Sequence, residues 1–317
     1  MRVTIPWSMV KKFFVSLAVI ALILTVLFVK FEGKKEAEII SPLGKNSPPK
    51  TFAQKVASVF ENKSKLQTQL ENFVRAQDGT YGVYVKDLNT QETVQINSKI
   101  TFGSASLYKL WVLAEAYNQI KSGQIKKDET ISTTRGDLYQ KFELDIGEEN
   151  KDEEISDSLD DATMQMITVS DNDSALLVSD RLGLENISKF MKLNGFKNSN
   201  LEGDPQTTAE DIGLFFEKLY KGEIVDRDSS TQMMEILKSQ RLNDRLPKYL
   251  PEEITVAHKT GELDTFKHDT GIIFGQDPYI VAVLTDTQDP QTAAENIAEI
   301  AKETFNYFEN KPPSKKN

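Results

Sequence analysis

The chain has 317 residues, with 38 Lys+Arg against 48 Asp+Glu, two histidines and no cysteine. The formal net charge of −10 argues against a nucleic-acid partner, because that binding depends on cations neutralising phosphates. Without cysteine there is no disulfide, thiolate nucleophile or Cys-ligated zinc, and His258 and His268 alone do not supply the usual zinc constellation. No metal or cofactor is expected, which leaves oxygen-nucleophile chemistry or plain binding.

The first element is Phe13–Val29, FFVSLAVIALILTVLFV, an uncharged run flanked by Lys11, Lys12 and Lys30. Its length lies at the short end of the ~17–25 residues that span a bilayer. No small-residue cleavage pattern follows it, so it reads as an uncleaved anchor rather than a signal peptide. Arg2, Lys11 and Lys12 before it balance Lys30, Lys34 and Lys35 after it, and the charge count does not set its orientation. Residues 1–30 are therefore an anchor with its stub. Residues 31–51, charged and broken by Pro42, Pro48 and Pro49, are a linker, and 311–317 (KPPSKKN) a disordered tail.

Between them, 52–310 read as one domain. Apolar positions Val56, Val59, Phe60, Leu66, Leu70 and Phe73 predict a helix over Phe52–Gln77. Tyr81–Val85 and Glu92–Ile96 predict a hairpin turning near Asn89. Leu107–Ile120 is helical, and loops and helices follow to about Lys238. The acidic stretch Glu148–Asp161 reads as a solvated loop leading into a helix capped by Ser158 or Asp157, since it lacks a calcium-loop pattern. Three strands then follow, Thr255–Lys259, Thr270–Phe274 and Tyr279–Thr285, and a helix over Pro290–Phe308 closes the chain. The expected fold is α/β in the α+β sense: a sheet flanked by terminal helices and interrupted by an all-α insertion.

Three short motifs carry chemistry. Ser106-Leu107-Tyr108-Lys109 places an amine three residues from a hydroxyl at a helix start, within reach of it. A serine hydroxyl attacks only when a base takes its proton, and an amine serves as that base only when its own pKa is lowered. The pattern alone is weak, since Ser47-Pro48-Pro49-Lys50 repeats it within the linker. Ser170-Asp171-Asn172 reads equally well as a capped helix junction, and Lys259-Thr260-Gly261 as a strand lysine before a turn glycine. Each is unremarkable separately, and their occurrence in this order changes the reading.

In that order the chain resembles the class A β-lactamase and penicillin-binding serine acyl-enzyme family. Val256–Gly261 and His268–Ile273 are similar to that family's paired strands beside the active site, and the opening helix, hairpin and closing helix follow the family order. The resemblance implies an antiparallel sheet in a β-lactamase/transpeptidase-like fold. It implies Ser106 as nucleophile, Lys109 as its base, Ser170 as proton shuttle, Asn172 as holder of Lys109 and substrate, and Lys259 as a cation beside Ser170. Thr260, with Gly261 and Glu262, would line the substrate, Thr260 taking its carboxylate. The backbone N–H groups of Ser106 and Glu262 would form the oxyanion hole. The substrate would be a β-lactam or a cell-wall peptide, and the domain would lie outside the cytoplasm, at the cell membrane through a single span at residues 13–29.

Three departures qualify the resemblance. The stretch Gly195–Thr208 is short and lacks the Glu-x-x-Leu-Asn pattern of hydrolysing members, which leaves Glu202, its one glutamate, as the candidate for a deacylation role and a surface-loop glutamate as its plainer identity. Glu262 stands where a small residue is usual. No arginine occupies the strand at Thr270, although Arg245 precedes it on a loop. His258 is expected to face away from the site, because neighbours along a strand alternate. The readings are a membrane-anchored β-lactamase-type hydrolase, a penicillin-binding or D,D-peptidase-like enzyme with poor deacylation, and a non-enzymatic surface module. The last gives no physical reason for all five motif residues to be present.

Overall fold

The computed structural model describes residues 63–147 and 150–311. The anchor expected at residues 13–29, the linker, the helix expected before residue 63 and the tail beyond Lys311 lie outside the described residues. Among the described residues no helix is long and apolar enough to cross a membrane.

Helix α1 (Lys65–Arg75) starts where the Ser64 hydroxyl accepts the Gln67 N–H, and buries Leu66, Leu70 and Val74. Strands β1 (Thr80–Asp87) and β2 (Thr93–Ile96) form the expected hairpin, followed by β3 (Phe102–Gly103), a 3-10 turn (Ala105–Tyr108) and helix α2 (Lys109–Lys121). The middle of the chain holds β4 (Thr130–Thr134), α3 (Arg135–Lys141), β5 (Glu154–Ser158), α4 (Leu159–Thr168), α5 (Asn172–Leu182), α6 (Leu184–Asn194), β6 (Gln206–Thr207), α7 (Ala209–Lys221) and α8 (Arg227–Lys238). Strands β7 (Thr255–Leu263), β8 (Phe266–Phe274) and β9 (Pro278–Asp286) follow, and α9 (Pro290–Glu309) ends the domain. Helix α9 begins as its sequence dictates, with Pro290 in the first turn and the Asp289 carboxylate accepting the Thr292 N–H.

The main sheet is antiparallel in the order β2-β1-β9-β8-β7, built from both ends of the sequence. The sequence predicts an all-α insertion, and the structure corrects this: the inserted region also contains short antiparallel strand pairs. Strands β4 and β5 pair antiparallel from Thr130↔Ser158 to Thr134↔Glu154, and β3 pairs with β6. Part of the acidic stretch is therefore a strand. Ser158 does cap the helix that follows, accepting the Asp161 N–H.

Alternation along β9 divides the core. Tyr279, Val281 and Val283 face α1 and α9, while Ile280, Ala282 and Leu284 join the large cluster with the inserted helices. Both faces are covered, so the strands read as continuous apolar runs. The β7–β8 pair is close at Gly271, where an added Cβ would lie 2.4 Å from the Ala257 carbonyl oxygen and 2.6 Å from His258 Cβ. Gly271→Ala is expected to cost about 1–3 kcal/mol by prising these strands apart. A drop in the urea midpoint with an unchanged m-value would verify this, and an unchanged midpoint would contradict it.

Candidate active site

The site forms where the edge strand β7 meets the 3-10 turn of the helical insertion. Ser106 lies in that turn, half-buried, directly after Ala105 with its positive φ of 44°. A non-glycine residue in the left-handed region costs free energy, and such strain concentrates at functional sites. The turn is held from the other side as well: the Ser104 N–H donates to the Pro205 carbonyl at 2.7 Å, beside the β3–β6 pair. Ser106 Oγ makes no hydrogen bond among the described residues, so the hydroxyl is not committed to a structural role. Gly261 on β7 allows the close approach, since a Cβ there would sit 3.2 Å from Leu107 Cγ.

Lys109, the first residue of α2, is 0% exposed. Its Nζ donates to the Ser170 carbonyl at 2.7 Å, the Ser170 hydroxyl at 3.3 Å, the Asp171 carbonyl at 3.2 Å and Asn172 Oδ1 at 2.8 Å. From β7, Lys259 Nζ donates to the same Ser170 hydroxyl at 2.9 Å and to the Thr260 carbonyl at 2.9 Å. Ser170 therefore joins two buried amines. Burial brings the Lys109 pKa down to about 8, against a smaller opposing pull from Asp171. Burial first, and then the charge of Lys109, hold Lys259 well below the ordinary lysine range. Desolvation is thus the main cause of the lowered pKa at Lys109, rather than the neighbouring cation.

The Ser170-Asp171-Asn172 turn is built for this arrangement. Ser170 has a positive φ of 60°, and the Asp171 carboxylate caps α5 by accepting the Ser174 N–H at 2.7 Å. The capping and functional readings of the motif hold together, because the cap sets the turn that presents Ser170. Asp173 braces the turn from outside: Arg135 donates to it at 2.7 and 3.0 Å, and the Tyr139 hydroxyl at 2.7 Å. No motif marks this support, because its partners lie far apart in sequence.

Behind β7, His258 faces away from the lysines, as alternation predicts. Its Nδ1 lies 2.9 Å from Asp269 Oδ1 and its Nε2 3.0 Å from Asn243 Oδ1. Asp269 is 0% exposed and also accepts the Thr270 and Leu246 N–H groups at 2.9 and 3.0 Å. Asp269→Ala leaves these donors unsatisfied in the interior, and a loss of about 3 kcal/mol is expected. Denaturant titration measures it; a loss below about 1 kcal/mol would show the donors find other partners. His268, on the opposite face, accepts the Thr285 N–H on Nδ1, so Nε2 carries the proton given to the Gly103 carbonyl at 2.8 Å. Burial takes its pKa down to about 4 and keeps it neutral.

The remaining sequence-picked residues divide. Thr260, Gly261 and Glu262 follow Lys259 along β7, which continues to Leu263 where the sequence suggested a turn after Lys259. Glu262 pairs with Lys267 at 2.6 Å and Arg245 at 2.5 Å. Glu202 is elsewhere: its side chain is 83% exposed, and its ion pair is with Lys192 at 4.0 Å. It makes no hydrogen bond to Ser106, Lys109 or Ser170.

A family model described as the β-lactamase enzyme family matches residues 65–308. The chain belongs to this family. VEB-1, a β-lactamase of Pseudomonas aeruginosa, is 24% identical over 275 residues, covering 78% of this chain and 91% of that protein. The extended-spectrum β-lactamase PER-1 of the same organism is 23% identical, covering 76% of this chain and 87% of its own. Among solved structures, PBP-A superposes with a TM-score of 0.70 at 22% identity, covering 78% of this chain and 97% of that one. A mutant of PBP-A has been solved as an acyl-enzyme complex with penicillin G. A β-lactamase from Sphaerobacter thermophilus superposes with a TM-score of 0.68 at 24% identity, covering 78% and 98%. These likenesses establish the fold, and membership of the β-lactamase family makes the chain a β-lactamase-like serine hydrolase.

Proposed function

We propose that the domain at 52–310 opens β-lactam amides through an acyl-enzyme on Ser106. The observation that carries this reading is the hydrogen-bonded series Lys109–Ser170–Lys259, buried one helical turn from a serine whose hydroxyl is uncommitted. Ser106 Oγ bonds to the β-lactam carbonyl carbon as its proton passes to neutral Lys109. The backbone N–H groups of Ser106 and Glu262 hold the oxyanion. The carbon–nitrogen bond then breaks, and the departing nitrogen takes the Ser170 hydroxyl proton, which the lysines replace. Asn172 keeps Lys109 aimed, and the Thr260 hydroxyl receives the substrate carboxylate.

Release of the acyl group is the slow step in this proposal. Glu202 is the one glutamate of the short loop, and its exposure supports a penicillin-binding, D,D-peptidase-like enzyme that acylates readily and hydrolyses poorly. The uncharged run Phe13–Val29 supports a single-pass membrane anchor carrying the domain on the extracytoplasmic side, where cell-wall peptides and β-lactams are met.

Intact-mass spectrometry after mixing with penicillin G, followed over time, tests this. A single persistent adduct mapping to Ser106 is the expected result. An adduct that clears while product accumulates would replace the slow-release reading with efficient hydrolysis. Absence of any adduct would overturn the acyl-enzyme assignment.

A further inference from the structure

Glu262 and Arg245 form a constellation that the catalytic reading does not use. Thr260 and Glu262 lie two apart on β7, so their side chains leave the same face of the strand. Glu262 is paired with Lys267 across the strands, and its Oε2 accepts from both Lys267 Nζ and Arg245 Nη2. Arg245 is 3% exposed and anchored by Nη1 to the His268 carbonyl at 3.1 Å. Its Nε lies 3.5 Å from Asp244 Oδ1 and makes no hydrogen bond, while Lys267 lies 4.0 Å from Asp244 Oδ2. Two cations therefore face two carboxylates, and the cluster is balanced before a substrate arrives. Burial would raise the Glu262 pKa, but the Lys267 hydrogen bond and the charges of Arg245 and Lys267 together hold it below the usual carboxylate range.

We infer that Glu262 acts as an internal carboxylate that occupies Arg245 and Lys267, so that the site selects acyl donors with no free carboxylate beside Thr260. Such donors are esters, carboxamides or peptides that continue as an amide. The inference rests on the Ser106 acyl-enzyme reading and on Thr260 marking the carboxylate position. Physically, an anionic substrate must either displace Glu262 from a bidentate-capable guanidinium or approach it against like-charge repulsion. A neutral group meets neither cost. Lys259 does not restore the balance, because its amine is committed to Ser170 and the Thr260 carbonyl. Glu262, 57% exposed on its side chain, sits at the edge of the site where its identity can change without disturbing the core.

The test compares acylation rates of penicillin G and its carboxyl methyl ester, by intact mass, on the native protein and on Glu262→Gln. The native protein is expected to react with the ester at least as fast as with the acid. Glu262→Gln frees both cations, and the acid-to-ester rate ratio is expected to rise about tenfold. The ratio cancels any general effect of the substitution on the oxyanion strand, and Glu262→Ala should move it in the same direction. A native protein that strongly prefers the acid, or a ratio unchanged in both variants, overturns the inference while the acyl-enzyme reading stands. Failure of both compounds to label either form overturns the acyl-enzyme reading and this inference with it.

Discussion

Ser106→Ala is expected to abolish covalent labelling by penicillin G and its ester while leaving stability within about 0.5 kcal/mol of the native protein. The chemical half follows from the proposed role of Ser106 as the group that bonds to the carbonyl carbon. The stability half follows from the site: Ser106 is half-buried and its Oγ makes no hydrogen bond, so its removal orphans no partner. The 3-10 turn, the strain at Ala105 and the Ser104–Pro205 hydrogen bond are all backbone features that alanine retains. Reversible, non-covalent binding is expected to survive. Labelling that persists in this variant, on any residue, would remove Ser106 from its assigned role.

The second large effect concerns Lys109. Its neutral amine is the proposed base, and with a pKa of about 8 the amine takes up a proton as the pH falls through that value. Acylation by the native protein is therefore expected to be full above about 8 and to fall about tenfold for each further pH unit below it. Lys109→Ala is expected to slow acylation by about a hundred- to ten-thousand-fold and to flatten this dependence. The substitution also strips donors from the Ser170 and Asp171 carbonyls and Asn172 Oδ1. Thermal unfolding therefore accompanies the kinetics, and the pH profile of the unmodified protein stands independently of it. A profile flat from pH 6 to 9 in the native enzyme would mean that another group takes the proton.

Much of the sheet was legible because it is regular. The apolar runs Tyr81–Val85 and Tyr279–Thr285 identify β1 and β9, and Pro290 after Asp289 marks the last helix. The three motifs were legible as candidates because they lie where elements begin and end. Strands β4 and β5 were not, since Thr130–Thr134 and Glu154–Ser158 are polar, partly exposed and paired only with each other. The extension of β7 through Gly261 and Glu262 was also hidden, because a lysine followed by glycine reads locally as a strand end. What stabilises it there is cross-strand pairing with Lys267 and His268, a long-range fact. The charge of Glu262 appeared in the sequence as a lone negative group facing a substrate. Its neutralisation by Arg245 depends on a loop whose direction is set by Asp269 and His258, which no spacing reveals.

The strand order has a bearing on biogenesis. β9 lies in the middle of the sheet, yet it is the last strand to leave the ribosome, and its ladder joins Thr80 to Asp286 across the entire helical insertion. The hairpin at the beginning of the domain must therefore wait, with one long edge unpaired, until nearly the whole polypeptide has been made. Loop closure over such a span is slow, and an open edge is a template for wrong partners. Ser106 and Lys109 come from the early part of the chain and Lys259 from the late part, so under the proposed mechanism a chain that ends before β7 carries the serine without its complete proton path. The proposed reactivity is thereby deferred to late assembly, and a chain cut before β9 is left with the β1 edge that β9 would cover unpaired.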